Sequence, residues 1–233
     1  MNRFKENSTT KLLQYASVVE HCQRNWQDTP VSQKHIDSIV KVATTMPTKQ
    51  NNEYYSILVV TDPKHRHNIN LLCVNDGDAP TIYANTQMSA PVLILFFETK
   101  GRFRPDGHDR LEITEVDNYS YNAGFAIGMS AGAAAIEAAA NGLHTGFCKC
   151  FLSKEIKEYL HENIAMKSDD PKLHIANKDN GTLELIIGVG YGLKDIPHNK
   201  VFYYKNYDPV WNPHSRKWGL RQTYRKKIIT HQV

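Results

Sequence analysis

The stretch Ala123–Phe151, AGFAIGMSAGAAAIEAAANGLHTGFCKCF, decides the fold. Alanine is the best helix former, so the run over 123–141 predicts a helix despite its internal glycines. Asn141-Gly142 predicts the end of that helix, because glycine tolerates the left-handed conformation of a C-terminal cap. A short apolar segment, 145–151, follows. Because so many small side chains let another backbone come close, we expect this helix to be a central, buried element.

A membrane-spanning helix is the first alternative, since about 20 apolar residues cross a bilayer. Glu137 and Asn141 lie inside the run, alanine and glycine are only weakly apolar, and no other segment of the sequence resembles a span. We therefore expect a buried helix of a soluble protein without a membrane partner. The chemistry is expected in the turn and strand that follow the helix.

Length and composition indicate a globular protein with a modest positive charge. The chain has 233 residues, of which 41% are hydrophobic, enough for the core of one large domain or two small ones. The net charge of +4 would suit an anionic small ligand and is too weak to indicate nucleic acid. The locally basic stretch 216–227 is best explained as a solvated tail; a nucleic-acid arm and a tail that contacts phosphate or a partner remain alternatives.

Cysteine usage predicts a cytoplasmic protein. The four cysteines are sparse and show no framework spacing, and the N-terminus lacks the apolar segment and cleavage site of a secretory signal. Cys148 and Cys150 form the one close pair, and on a strand both thiols would point to the same face. We favour two packing thiols and no metal, because no second Cys or His cluster has metal-ligand spacing.

Alternating helices and strands predict one α/β or α+β domain. Helices are expected over 11–20, 33–45, 65–72 and 153–160. Ser32 and Ser153 are the expected N-terminal caps of the second and last of these helices. Besides the segment after the Ala-rich helix, strands are expected over 55–60, 91–98 and 183–190.

Three polar segments stand out because each lies next to a buried element. They are 21–26 (HCQRNW), 47–52 (PTKQNN) and 146–150 (GFCKC). None is a nucleotide-binding fingerprint, since the sequence has no G-x-G-x-x-G after a strand and no phosphate loop. Gly188-x-Gly190-x-Gly192 follows a strand but precedes no convincing helix, and no Ser/His/Asp arrangement can be assigned.

Taken in chain order, these segments resemble the FMN-dependent nitroreductase family, over roughly residues 10–200. No single motif is specific, but the ordered series is. The matching motifs are the basic element 21–26, the loop 47–55 before a strand, Ala90-Pro91 at the start of an internal strand, Gly142-Leu143-His144-Thr145-Gly146 after the Ala-rich helix, and Gly188-Val189-Gly190-Tyr191 at the end of a late strand.

The resemblance implies an α+β, nitroreductase-like fold, with a central, mainly antiparallel sheet flanked by helices. Residues 1–233 would form a single domain with a basic C-terminal extension from about 201. The resemblance further implies an intertwined homodimer with FMN at the subunit interface.

The activity that the resemblance implies is that of an FMN-dependent NAD(P)H oxidoreductase. NADH or NADPH would reduce the flavin, and a nitroaromatic, quinone or similar electron-poor acceptor would then take the hydride from flavin N5 without a side-chain nucleophile. Another reaction on the same fold, such as reductive dehalogenation or flavin fragmentation, stays open, as does a non-enzymatic FMN-binding protein.

The resemblance also implies which side chains would contact the flavin. Arg24 would place a cation near N1 and the C2 oxygen, where the reduced ring gathers negative charge; a surface pair with Glu20 is the alternative. Asn51 would contact the flavin edge or a ribityl hydroxyl, or else cap its own loop. Asn85 and Gln87 are weaker candidates on the same reasoning.

Backbone groups of Cys148, Lys149 and Cys150 would lie beside the flavin, with an N–H directed towards N5. Because backbone contacts are insensitive to the side chain, the unusual C-K-C sequence is tolerable there. The phosphate needs several cations or N–H donors. The candidates are His21, Arg24 and Lys200, with Arg216 and Lys217 as rivals.

Two residues, one just before the basic element and one within it, depart from the family pattern. Glu20 stands where the family has arginine, and Cys22 stands where it has serine. One phosphate or ribityl contact is therefore lost or supplied from elsewhere. Cys22 and Gln23 are still expected near the cofactor, as members of the same element.

Overall fold

The computed structural model describes residues 7–19, 22–73, 85–99, 117–164 and 181–193, with the short pairs 204–205 and 208–209. The helices of this part are α1 (Asn7–Val19), α2 (Gln33–Thr44), α3 (Pro63–Leu71), α4 (Asp117–Ala140) and α5 (Ser153–Asn163). The strands are β1 (Tyr55–Val60), β2 (Val92–Glu98), β3 (His144–Cys148), β4 (Leu183–Gly190), β5 (Tyr204–Lys205) and β6 (Asp208–Pro209). Two 3₁₀ turns, Lys49–Asn51 and Thr86–Ser89, complete the list.

The main sheet has four strands in the order β1-β2-β4-β3, and each neighbouring pair is antiparallel. The predicted α+β class with an antiparallel central sheet is thereby confirmed. The predicted bounds of β1 and β4 match the observed strands. β5 and β6 form a separate two-stranded pair within the basic extension.

The sheet is buried on both faces, and alternate residues of β2 supply one core each. On the first, which we call the cysteine face, Leu93, Leu95 and Phe97 pack with Cys73, Met88 and Cys148 and with side chains of α3 and α5. On the second, the alanine face, Val92, Ile94 and Phe96 pack with α2 and with the alanines of α4. β2 therefore reads as a continuous apolar run, as expected for an internal strand.

The Ala-rich helix is confirmed as the central buried element of the alanine face. α4 ends at Ala140 as its sequence predicts, and Gly142 supplies the left-handed residue with φ of +74°. At its other end the helix begins at Asp117, earlier than the composition alone indicates.

Glu137 shows why α4 can carry a carboxylate inside an apolar run. Ser38 Oγ of α2 donates a hydrogen bond to Glu137 Oε1, and Asn141 Nδ2 donates another at 3.0 Å.

Over the described residues, Tyr121–Ala140 is the one helical segment long and apolar enough to cross a membrane, and half of its most apolar window is buried inside the fold. Burial of this kind is typical of a core helix.

The two predicted serine caps have different outcomes. Ser32 caps α2, because its side chain accepts a hydrogen bond from His35 N at 3.3 Å. Ser153 is wrong as a cap: it is the first residue of α5, Leu152 holds the cap position without a side-chain bond, and Ser153 Oγ lies 3.5 Å from Leu183 O. The Ser153 hydroxyl therefore lies against the Leu183 carbonyl of β4 and, contrary to the prediction from the sequence, does not bind the first N–H groups of α5.

The prediction that Cys148 and Cys150 share one face of a strand is also wrong. β3 stops at Cys148, so the alternation of a strand no longer applies two residues later. Cys148 is buried on the cysteine face, whereas Cys150 is exposed in the connection to α5. The two thiols therefore have different surroundings.

Candidate functional site

Five of the predicted site residues lie at one place, the C-terminal end of β3. Cys148, Lys149 and Cys150 end and follow the strand, Asn85 Nδ2 reaches Cys148 Sγ at 2.9 Å, and the charge of Arg24 acts on the same sulfur. These residues come from three separate parts of the sequence. We call this group the strand-end cluster.

Two glycines explain how the separate parts meet. A Cβ on Gly146 of β3 would lie 2.6 Å from the Gln23 carbonyl oxygen, and a Cβ on Gly188 of β4 would lie 2.2 Å from the Gln87 carbonyl oxygen. Without side chains at these positions, the loop that carries Arg24 and the turn that follows Asn85 can rest on the sheet itself.

Gln23 has an internal role that holds Arg24 in place. Its backbone N–H donates to Thr145 O of β3 at 2.8 Å, and its side-chain Oε1 accepts from the N–H groups of Arg24 (2.8 Å) and Asn25 (3.0 Å). The side chain is 1% exposed. Gln23 is therefore a positioning residue of the loop, and its amide oxygen is already used within the chain.

Trp26 and Asn85 fix the two segments to each other and to the sheet. Trp26 Nε1 donates to Thr86 O at 2.9 Å, and Trp26 forms an isolated antiparallel bridge with Gly192 after β4. Asn85 Oδ1 accepts from Gln87 N at 3.2 Å, so its amide caps the Thr86–Ser89 turn with one atom and contacts Cys148 with the other.

Cys148 is the most perturbed group of the cluster. The pKa of its thiol lies below the ordinary value, first because the Cys73 thiol donates a hydrogen bond to it, and then because the Cys150 backbone, Asn85 and Arg24 favour the anion, while burial opposes the shift. The same contact and burial raise the pKa of Cys73, which keeps its proton. Sequence reasoning missed Cys73, since nothing in its local sequence distinguishes it.

Lys149 and Cys150 face outward beside these buried groups. Lys149 Nζ forms an ion pair with Glu184 Oε2 at 3.3 Å, and its side chain is 73% exposed. Its backbone N–H donates to no backbone carbonyl within the described ranges, so it is a possible donor to a ligand. The end of β3 thus combines the half-buried cation of Arg24, the side-chain amide of Asn85 and the backbone N–H of Lys149.

The remaining predicted residues fall outside this cluster. Asn51 ends an exposed 3₁₀ turn with φ of +54°, away from the end of β3, and no described contact joins it to Arg24 or Asn85. Cys22 is half-buried at the start of the Gln23 loop. His21, Glu20, Lys200, Arg216 and Lys217 lie outside the described residues.

A separate cavity of about 530 Å³ lies at the other side of the molecule, between α2 and the edge strand β1. It contains none of the predicted site residues. Its lining consists of Gln33, Ile36, Asp37, Val40, Lys41, Thr44, Val59 and Thr61. The strand-end cluster, where the perturbed thiol and the cation meet, is the stronger candidate for chemistry.

Known structures place the chain in a fold family. The structure of the hypothetical oxidoreductase YcnD from Bacillus subtilis is similar to this one with a TM-score of 0.58 at 18% identity, over 88% of this chain and 77% of that chain. An FMN-dependent nitroreductase from Clostridium difficile matches with a TM-score of 0.52 at 16% identity, over 94% of this chain and 99% of that chain. A nitroreductase family protein from Streptococcus pneumoniae matches with a TM-score of 0.56 at 15% identity, over 79% and 92%.

Sequence comparison adds nothing to this likeness, since no family model and no curated protein matches the chain. The similarity is therefore one of structure. The chain has the nitroreductase fold, as the ordered motifs of its sequence predict.

Proposed function

We propose that this chain, which has the nitroreductase fold, is a cytoplasmic FMN-dependent NAD(P)H oxidoreductase that reduces nitroaromatic, quinone or similar electron-poor acceptors by a ping-pong mechanism. The observation that carries the proposal is the strand-end cluster, in which Asn85 Nδ2 and the charge of Arg24 both act on Cys148 at the end of β3. Fold alone does not specify a reaction, and the chemistry of these groups decides whether the site suits a flavin.

The groups of the cluster fit the chemistry of a flavin ring. Bound FMN would supply hydride transfer at its N5 atom. Arg24 would hold positive charge where negative charge develops on reduction, and a charge-assisted hydrogen bond of this kind contributes about 1.5–3 kcal/mol. The backbone N–H of Lys149, which has no backbone acceptor in the described part of the chain, would donate to the ring. The phosphate of FMN, which needs several cations or N–H donors, would be contacted by His21, Arg24 and Lys200.

Arg24 is held as such a role requires. Its backbone N–H is bound by Gln23 Oε1, and the loop it belongs to is fixed to β3 through Gln23 N and Thr145 O. A cation on a fixed loop stabilises charge without having to reorganise during the reaction. The half-buried position also strengthens its electrostatic effect relative to a solvated arginine.

We also propose a homodimer that uses the exposed side of α4. Tyr121 and Phe125 are 73% and 64% exposed there, and they stand one helical turn apart beside the exposed Gly124 and Gly128. Exposed aromatic side chains next to glycines form an apolar surface that another subunit can approach closely. Asn51, far from the strand-end cluster of its own chain, would reach the flavin of the partner subunit.

The dimer is tested by light scattering on two matched variants. Phe125→Asp should give a monomer, because it places a charge in the proposed interface. Leu71→Asp changes a side chain that is 55% exposed on α3 and should leave the dimer intact. A dimer that survives Phe125→Asp would contradict the α4 interface, and a monomeric unaltered protein would contradict the dimer.

The cofactor and the activity are tested by a visible spectrum. The purified protein should be yellow or should bind added FMN at one per subunit, and NADH or NADPH should bleach the flavin without oxygen. Adding a nitroaromatic or a quinone should restore the oxidised spectrum. A colourless protein that does not bind FMN would exclude the proposal, and bound flavin that neither donor bleaches would indicate a binding protein without this activity.

A further inference from the structure

Three of the four thiols of the chain belong to one neighbourhood on the cysteine face. Cys73 directly follows α3 and its cap residue and is fully buried; Cys148 is the last residue of β3, and Cys150 is two residues further on at the surface. Cys73 and Cys148 belong to the same buried cluster of side chains on this face. No group of three or more metal-ligating side chains occurs in the described ranges, so a metal does not account for this arrangement.

Backbone hydrogen bonds hold the two buried thiols next to each other. Leu72 O, one residue before Cys73, accepts from Leu152 N of the segment after β3 at 2.9 Å. Cys73 O accepts from Asn85 N at 3.2 Å, and Asn85 in turn contacts Cys148 through its side chain. The fold thus holds the segments that carry Cys73 and Cys148 beside each other, and both side chains lie in one buried cluster.

The two thiols have complementary chemical roles. The Cys73 thiol, Asn85 Nδ2 at 2.9 Å and the Arg24 charge favour the anion of Cys148, whereas Cys150 O at 3.3 Å accepts a hydrogen bond from its protonated form. The pKa of Cys73 is raised, so this neighbour stays protonated. A stabilised thiolate beside a protonated thiol is the arrangement in which one sulfur reacts with an oxidant and the other resolves the product.

We propose that Cys73 and Cys148 are a redox pair that forms a reversible disulfide when the protein meets a hydroperoxide. The Cys148 thiolate attacks the outer oxygen of the peroxide, the O–O bond breaks, and the leaving oxygen takes up the proton that the Cys148 thiol released, so that an alcohol or water departs. Cys73 then attacks the resulting sulfenic acid, its proton leaves with the hydroxyl as water, and the S–S bond forms. Two thiols and one hydroperoxide thus give one disulfide, one alcohol and one water.

The buried position of the pair selects small oxidants. Cys148 is 2% exposed and Cys73 is fully buried, so hydrogen peroxide can reach the sulfurs more readily than a bulky disulfide. Oxidation also removes the anionic partner of Asn85 Nδ2 and of the Arg24 charge, since a disulfide sulfur carries no negative charge. If the proposed flavin site is correct, oxidation would therefore change the surroundings of the cation that faces the ring; the disulfide itself does not depend on that proposal.

Tryptic digestion gives a sharp test, because cleavage at Lys149 separates Cys148 from Cys150. The four cysteines fall in four different peptides, 12–24 (Cys22), 67–100 (Cys73), 111–149 (Cys148) and 150–154 (Cys150). The full-length protein as purified is treated with hydrogen peroxide, its free thiols are blocked with iodoacetamide, and it is digested without reductant. We expect an intact mass reduced by two hydrogen atoms and a cross-link between 67–100 and 111–149, both reversed by dithiothreitol.

Matched single variants decide whether the pair is specific. Cys73→Ser and Cys148→Ser should each abolish the cross-link, whereas Cys22→Ser and Cys150→Ser should retain it. A cross-link between 111–149 and 150–154, or oxygen addition to Cys150 with Cys73 and Cys148 still alkylated, would overturn the proposal. The readout is the same with and without FMN, so a failure here is distinguishable from a failure to bind or reduce flavin.

Discussion

The two faces of the sheet are covered by different elements. In the part of the chain that the structure describes, the alanine face is packing alone, whereas the cysteine face also brings candidate reactive groups together. On the alanine face, long helices cover β2, and the polar side chains Ser130 and Tyr55 both donate to one backbone oxygen, Ala43 O, at 2.8 and 2.7 Å. On the cysteine face, a loop and a 3₁₀ turn rest on glycines, and they bring an arginine, an amide and thiols together. The helices of the alanine face pack closely against β2. On the cysteine face, the loop with Arg24 and the turn after Asn85 lie on the sheet and bring their polar groups to the end of β3.

The largest expected effect concerns the two cores themselves. Phe96 and Phe97 are neighbours in β2, both buried, one on the alanine face and one on the cysteine face. Phe96→Ala and Phe97→Ala should each lower the free energy of unfolding by about 3–5 kcal/mol, because each leaves a cavity. Urea unfolding measures both. A loss below about 1 kcal/mol at Phe97 alone would mean that the cysteine face is not a true core.

The next effect concerns the cation of the cysteine face. Arg24→Ala should weaken FMN binding by roughly 10- to 100-fold, since it removes a charge-assisted hydrogen bond of about 1.5–3 kcal/mol. Arg24→Lys should recover part of the affinity, because the charge is kept. Fluorescence titration of FMN measures each variant, with Lys34→Ala on the opposite helix α2 as the control. Equal affinities for all four proteins would remove Arg24 from the site.

A methyl group added on one face and removed on the other gives a finer comparison. Gly188→Ala should destabilise the fold by about 1–3 kcal/mol, because the new Cβ collides with Gln87 O. Ile187→Val, the preceding residue on the alanine face, should cost about 0.5–1.5 kcal/mol. Only Gly188→Ala should also weaken FMN binding, since it displaces the turn capped by Asn85. Equal effects on FMN from both variants would contradict the role of that glycine.

The smallest expected effect is a pH dependence at the start of α3. The pKa of Asp62 is lowered because its carboxylate accepts the His65 N–H at 2.9 Å. A carboxylate whose pKa is lower in the folded state contributes stability above its unfolded pKa and loses it as pH falls through the folded value, here below about pH 4. Asp62→Asn keeps a capping side chain without the charge. Its unfolding midpoint should fall less steeply with acid than that of the unaltered protein, and parallel curves would contradict this.

Local chemistry made much of the fold predictable. β1 and β4 are short apolar runs between turn residues, α2 has a serine cap, and α4 has an Asn-Gly stop, so each could be found from a few neighbouring residues. The errors lie where a distant group intervenes. Ser153 fails as a cap because its hydroxyl lies against Leu183 O of β4, and Cys150 leaves the face of Cys148 because β3 ends first.

The candidate site was predictable in part, because its residue types suit a ligand while their contacts are long-range. Arg24 and Asn85 were identified and lie at the end of β3. The internal role of Gln23 and the contact of Cys73 with Cys148 follow from how the loop and α3 meet the sheet, which no local pattern encodes. The sequence shows which groups are available, and the packing decides which of them are already used.

The strand order has a consequence for how the protein is made. β4 lies between β2 and β3, yet it follows both along the chain. While the ribosome is still adding residues before 183, β1 is the one strand of the described residues that β2 can pair with, and β3 has no described strand beside it. One long side of β2 is therefore open during synthesis, with unpaired amide groups and apolar side chains on both faces, which is a state prone to aggregation. Closure must wait for the arrival of β4, so we expect slow, late folding for a chain of this size.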